Sequence, residues 1–270
     1  MARTKIIELV KNVRSHSPLV HSIMNYVTIN DCANVLLAIG ASPIMADALE
    51  ETAEVTAHAG ALVLNIGTLK SWTKDAMICA GKMANQMKIP VVLDPVGVGV
   101  SNLRKETVKA ILEQVKLSVI RGNLSEIAFI SGEEAQSKGV DNSEEESFLK
   151  KLQIAKKAAY KWNTIIAVTG KNDLITDGER QVKIQNGTCM LSKITGTGCM
   201  TTALIGAFLT EKTDPLMAAA AGIAVMGIAG EVAEEYAGNS GTGSFKTALM
   251  DVISQIDEKI IRERIKIEKE

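Results

Sequence analysis

A chain of 270 residues, 46% hydrophobic and 23% charged, is long enough to bury a sizeable core, in one large α/β domain or two small ones. Its 30 basic and 31 acidic residues leave a net charge of -1, which excludes a basic stripe for nucleic acid and a polybasic membrane patch. Any anionic ligand must be held by local groups instead.

From the N-terminus, residues 1–13 alternate charged and aliphatic side chains at helical spacing, without the continuous apolar stretch of a signal peptide. Leu19–Ile23 then reads as a strand buried on both faces. Thr28 begins a capping-box pattern with Asp31, and Cys32, Val35, Leu36 and Ile39 recur at helical spacing until Gly40. The pattern repeats down the chain. Buried strands are predicted at Ala61–Asn65, Val91–Asp94, 118–121 and 164–168, and helices at 74–87, 103–115 and 144–160. Residues 136–146 are polar enough for a surface loop. The nearly uncharged stretch 215–230 is dense in Ala and Gly and is shorter than the roughly 20 residues that span a bilayer, so it is predicted as a central buried helix rather than a membrane segment. The charged tail 257–270 reads as a solvated amphipathic helix, with Ile253, Ile256 and Ile260 on its buried stripe. Strands alternating with helices predict one α/β domain over 1–270, a doubly wound, mostly parallel sheet with helices on both faces.

Ligands of such sheets bind beyond the carboxyl ends of the strands. Three strand ends carry suitable groups: Asp94-Pro95-Val96-Gly97-Val98-Gly99, Arg121-Gly122-Asn123-Leu124-Ser125-Glu126, and Thr169-Gly170. A fourth segment, Lys193-Ile194-Thr195-Gly196-Thr197-Gly198-Cys199-Met200, is a glycine turn feeding an apolar helix. Free backbone N–H groups at such a turn suit phosphate. The same positive helix end is expected to lower the pKa of the Cys199 thiol and make thiolate available as a base. Taken singly, each segment is more often an ordinary turn or helix cap than a catalytic part. Together they supply carboxylates for magnesium, a guanidinium for phosphate oxygens, an anion cradle and a base, the set that phosphoryl transfer needs. The four cysteines, Cys32, Cys79, Cys189 and Cys199, lie far apart with no C-x-x-C pair, which predicts reduced thiols in a cytoplasmic protein without structural zinc.

In order along the chain, the segments His21-Ser22-Ile23-Met24-Asn25-Tyr26-Val27-Thr28, Gly40-Ala41-Ser42-Pro43-Ile44-Met45-Ala46-Asp47, Asn65-Ile66-Gly67-Thr68-Leu69 and the strand-end motifs above resemble hydroxyethylthiazole kinases, the thiamine-salvage branch of the ribokinase-like superfamily. The resemblance implies a ribokinase-like fold and ATP-dependent phosphorylation of the primary alcohol of 4-methyl-5-(2-hydroxyethyl)thiazole. It also implies a homotrimer with sites at the subunit boundaries, where Asn25 and Met45 would face a neighbour's Gly196 turn. Carried over by position, Arg121 and Thr169 contact ATP, Gly198 belongs to the phosphate cradle, and Met45, Gly196 and Asn25 meet the thiazole alcohol. Asp94 and Glu126 organise Mg2+, and Cys199 occupies the base position, where ribokinase relatives usually carry aspartate. Whether Cys199 removes the proton or only orients the alcohol is left open by the sequence. Two other readings stand beside this one: a kinase for another vitamin-precursor alcohol, and a hydrolase or acyl transferase with Cys199 as covalent nucleophile. The second needs a histidine base, and His16, His21 and His58 all lie in the first quarter of the chain.

Overall fold

The computed structural model describes residues 2–70, 72–133, 144–210 and 212–269. In chain order the first elements are α1 (Ala2–His16), β1 (Leu19–Ile23), α2 (Ile29–Ile39), β2 (Ser42–Ile44), α3 (Leu49–Ala57) and β3 (Ala61–Asn65). Next come α4 (Thr73–Gln86), β4 (Val91–Asp94), α5 (Asn102–Gln114), β5 (Val119–Asn123), α6 (Leu124–Ser131) and α7 (Glu144–Trp162). The chain then runs through β6 (Ile165–Thr169), β7 (Asp173–Thr176), β8 (Gln181–Ile184), α8 (Thr197–Phe208), α9 (Pro215–Ala237), α10 (Thr242–Gln255), α11 (Glu258–Arg264) and β9 (Ile267–Lys269).

One nine-stranded sheet forms in the order β2-β1-β3-β4-β5-β6-β7-β8-β9. The first six strands are parallel and the last three antiparallel. Strand order reverses at β1, so helices cover both faces, as such winding requires. Side-chain alternation divides the core accordingly. Val63, Val92 and Val119 join a cluster with α1, α2, α8, α9 and α10, whereas Leu62, Leu64, Leu93 and Ile120 face α4, α5, α6 and α7. The five predicted strands and the doubly wound plan are present, and the stretch 215–230 lies inside α9, almost wholly buried.

Four local expectations are corrected. Thr28 makes no side-chain cap on α2, and Asp31 instead pairs with Lys246 at 2.8 Å. The tail is no continuous helix: α11 spans only seven residues and is followed by β9 on β8, and Ile261, not Ile260, is the fully buried residue there. The polar segment 136–146 lies outside the described residues as far as 143, and from Glu144 it is the start of α7 rather than a loop. Finally, β2 and the antiparallel strands β7, β8 and β9 were not predicted. At three or four residues each, they are too short for a hydrophobic period to register.

Candidate active site

Parallel register brings the strand ends into one row, pairing Asn65 with Asp94 across β3 and β4 and Asn123 with Thr169 across β5 and β6. The N-terminus of α8 points at this row. Gly196 caps it in the left-handed region at φ +92°, where a Cβ would lie 2.8 Å from Thr28 Cγ2. A Cβ on Gly198 would lie 2.7 Å from Arg121 Nη1. Gly196 thus lets the turn pack against Thr28, and Gly198 lets the guanidinium of Arg121 approach the helix start.

Cys199 lies in the first turn of α8, buried, with its Sγ accepting from Asn25 Nδ2 at 3.2 Å and Asn65 Nδ2 at 3.3 Å. Asn65 Nδ2 also donates to Asp94 Oδ2 at 3.0 Å, and Thr202 Oγ1 donates to the same oxygen at 2.8 Å. Asp94 is fully buried. Its Oδ1 accepts no hydrogen bond and faces Arg121 Nη1 at 3.8 Å. Burial pushes the Asp94 carboxyl up to about 6, against the pull of Arg121 and Thr202. The expectation for the thiol is overturned. Burial and then the Asp94 charge raise the pKa of Cys199, and hydrogen bonds from Thr28, Asn25 and Asn65 offset only part of that rise. Desolvation and a like charge outweigh the helix end.

Arg121 gives one hydrogen bond, from Nη2 to Thr169 Oγ1 at 2.6 Å, and its Nε is buried without an acceptor. Its Nη1 lies 3.8 Å from Asp94 Oδ1, and the guanidinium lines both cavities described below. Glu126 completes a capping box on α6 with the N-cap Asn123: Oε2 accepts the Asn123 N–H and Oε1 the Gly97 N–H, each at 2.8 Å, while Asn123 Oδ1 accepts the Glu126 N–H. Both carboxylate oxygens therefore hold loops. Arg104, not singled out from sequence, grips the other side of the same loops through the carbonyls of Ile66, Gly67 and Val96.

Two cavities meet over this row. The smaller, about 300 Å³, is lined by Asn25, Val27, Thr28, Gly67, Asp94, Glu126, Gly196 and Cys199 among others. The larger, about 620 Å³, is polar at Thr169, Gly170 and Lys171 and apolar at Leu191, Ile223 and Met226. Arg121, Asn123 and Gly198 line both. Eight of the nine residues expected at the site are gathered here. Met45 is not: it follows the edge strand β2, half-buried against the core, and lines neither cavity. Asn25 meets Cys199 of its own chain. The covalent-nucleophile reading lacks its base: none of His16, His21 and His58 lines either cavity, and His21 is buried between Thr56 Oγ1 and the Ala46 carbonyl, 2.8 Å from each.

Sequence reasoning missed Asn65, Thr202 and Asp173. Asp173 lines the larger cavity, accepts the Gly170 N–H at 2.8 Å, and is raised by burial to about 6. The signal for Asn65 was its place at the end of a buried strand beside the one ending in Asp94. For Thr202 it was the spacing of three from Cys199, one helical turn along the same face.

Comparison with known proteins agrees with this geometry. The model of the hydroxyethylthiazole kinase family matches residues 10–259. The hydroxyethylthiazole kinase of Ruminiclostridium cellulolyticum is 53% identical over 264 residues, covering 97% of each chain. The solved structure of a hydroxyethylthiazole kinase protein from Pyrococcus horikoshii superposes with a TM-score of 0.90 at 40% identity, covering 99% of both chains. A ribokinase-like superfamily protein from Enterococcus faecalis shares the fold, with a TM-score of 0.60 at 13% identity over 89% of this chain and 87% of its own.

Proposed function

The chain belongs to the hydroxyethylthiazole kinase family, whose reaction is phosphorylation of the thiazole alcohol by ATP in thiamine salvage, and from that premise we propose which of its residues carry the transfer. The observation that bears most weight is the meeting of two cavities at Arg121, Asn123 and Gly198, with Asp94 and Cys199 beside the junction. ATP occupies the larger cavity, its base toward Leu191, Ile223 and Met226 and its phosphates toward Arg121, Thr169 and the backbone N–H groups at Gly198. The thiazole occupies the smaller one, its hydroxyl near Cys199, Asn25 and Gly196. A loose phosphoryl-transfer transition state needs little prior deprotonation, so alignment and charge neutralisation supply most of the rate. Cys199 takes the hydroxyl proton late.

Magnesium fits the donor set in part. Oδ1 of Asp94 is a buried oxygen that accepts no hydrogen bond and faces Arg121 Nη1 only at 3.8 Å, and Glu126 adds a second carboxylate on the same cavity. Among the described residues no group of three or more His, Cys, Asp or Glu side chains forms a cage, which suits an ion that keeps most of its shell in water and phosphate. Bound there, it would neutralise charge on the phosphates.

Assembly as a homotrimer is supported by exposed apolar side chains around the smaller cavity. Tyr26 and Val27 are 66% and 55% exposed, and Met45 lies outside the cavity of its own chain. Met45 then serves a neighbouring subunit's thiazole. The decisive experiment measures ADP release with magnesium and a panel of vitamin-precursor alcohols. Release should depend on the thiazole and on the metal together; equal release with hydroxymethylpyrimidine or pyridoxal would overturn the substrate assignment. Mixing Met45→Ala with Cys199→Ala chains should restore part of the activity, and a fully active monomer in light scattering would remove the trimer.

A further inference from the structure

Asn65 has every hydrogen-bonding position filled. Its Oδ1 accepts from the Gly67 backbone N–H and from Asn25 Nδ2, both at 2.9 Å, and its Nδ2 reaches Asp94 Oδ2 at 3.0 Å and Cys199 Sγ at 3.3 Å. A backbone N–H can only donate, so the amide oxygen is fixed beside Gly67 and the amide nitrogen must face the carboxylate and the sulfur. The Asn25 amide is oriented the same way, with Oδ1 accepting the Thr28 N–H at 3.2 Å and Nδ2 turned to Sγ. Gly67 makes room for this arrangement, since a Cβ there would lie 2.8 Å from Asn25 Nδ2. Asn65 is 1% exposed and Asn25 3%, so water does not compete for these bonds.

We propose that Asn65 is a positioning residue for phosphoryl transfer: with Asn25 it forms an amide clamp that fills the strand side of the Cys199 sulfur, so that the acceptor alcohol meets it only from the cavity. The same amide ties sulfur and the Asp94 carboxylate into one rigid unit. This rests on the reading of Cys199 as the group that receives the hydroxyl proton. In that step a bond forms between the alcohol oxygen and the γ-phosphorus, the bond from that phosphorus to the ADP oxygen breaks, and the hydroxyl proton passes to the sulfur in its thiolate form, leaving the Cys199 thiol. An amide that holds the sulfur, but touches neither nucleotide nor alcohol, acts on turnover and coupling rather than on ATP affinity.

A double-mutant cycle on the full-length protein tests this, with Asn65→Ala, Cys199→Ala and the pair. Asn65→Ala should lower kcat about tenfold, the scale of one or two lost hydrogen bonds, leave KM for ATP unchanged, and raise the ATP consumed per thiazole phosphate formed. In the Cys199→Ala background the loss should shrink about threefold or more, because residues that act through one another are non-additive. Equal losses in both backgrounds would overturn the proposal while leaving the role of Cys199 intact. Full activity of Cys199→Ala alone would instead remove the base reading and this proposal with it. Should Asn65→Ala fail to fold by circular dichroism, Asn65→Ser, which keeps a small polar group but cannot reach sulfur, carries the same cycle with the same two outcomes.

Discussion

Asp94 is a carboxylate that the fold holds at a cost, and Asp94→Asn should reveal that cost as a function of pH. The side chain is fully buried, its Oδ2 accepts from Asn65 and Thr202, and its Oδ1 accepts nothing. Burial raises its pKa from 3.8 to about 6. A raised carboxyl pKa stabilises the fold only while the group stays protonated: the contribution is fully present below the unfolded value and is lost as pH rises through the folded one. The difference between those values corresponds to about 3 kcal/mol, and about 2 kcal/mol of it falls between pH 4.5 and pH 7.5. Asparagine keeps an acceptor for Thr202 and Asn65 and never ionises. Urea unfolding of both proteins without nucleotide or metal, at those two pH values, should show the stability of Asp94→Asn gaining about 2 kcal/mol on the parent as pH rises. Asp173, which is raised to about 6 as well, is present in both proteins and cancels. A gap that stays constant with pH would refute the argument, since it would mean that the carboxylate reaches solvent or that Arg121, 3.8 Å away, compensates its charge in full.

Iodoacetamide should label the exposed Cys189 well before the buried Cys199, whose pKa is raised; mass spectrometry of the first modified peptide checks this, and Cys199 labelled first would restore the activated-thiolate expectation. For the same reason turnover should climb between about pH 7 and about pH 9 and flatten in Cys199→Ala, whereas the same climb in both would assign the proton to another group. Gly198→Ala would place a methyl 2.7 Å from Arg121 Nη1 and should raise KM for ATP about tenfold or more, with unchanged nucleotide affinity as the contrary result. Glu126→Gln must turn an amide nitrogen toward one of the two backbone N–H groups that its oxygens now accept. It should lose about 1–3 kcal/mol in urea unfolding, and equal stability would show that the two loops do not depend on it.

The long, periodic parts of the fold were legible in the sequence, and the reason is burial. Strands such as Ala61–Asn65 and Val91–Asp94 are buried on both faces, so each reads as an unbroken aliphatic run. The short edge and hairpin strands carry too few residues for any period, and the tail broke into α11 and β9 where a helix pattern alone suggested continuity. At the site, residues with reactive groups announced themselves. What the sequence could not convey was register. Asn65 looks like the polar end of one strand until β3 and β4 align it with Asp94, and nothing in the motif around Glu126 shows that both its oxygens accept backbone N–H groups. The thiol was misjudged because the helix-end effect is visible in a motif, whereas desolvation depends on everything packed around it.

α8 carries Cys199 at one end and has no slack at the other. A methyl on Gly206 would come within 2.6 Å of Val63 Cγ2, and one on Gly222 of α9 within 2.6 Å of Ile205 Cγ1. The helix is a rod wedged between the sheet and its neighbour, and Gly206 lies seven residues, about 10 Å, down its axis from the sulfur. A variant that adds one carbon at either glycine touches no ligand, alters no charge and leaves every polar residue in place, yet it must lift or tilt the rod and move the sulfur away from the strand ends. Damage to this kinase family's chemistry can therefore arise in its driest interior, and a survey of ligand contacts alone would pass over it.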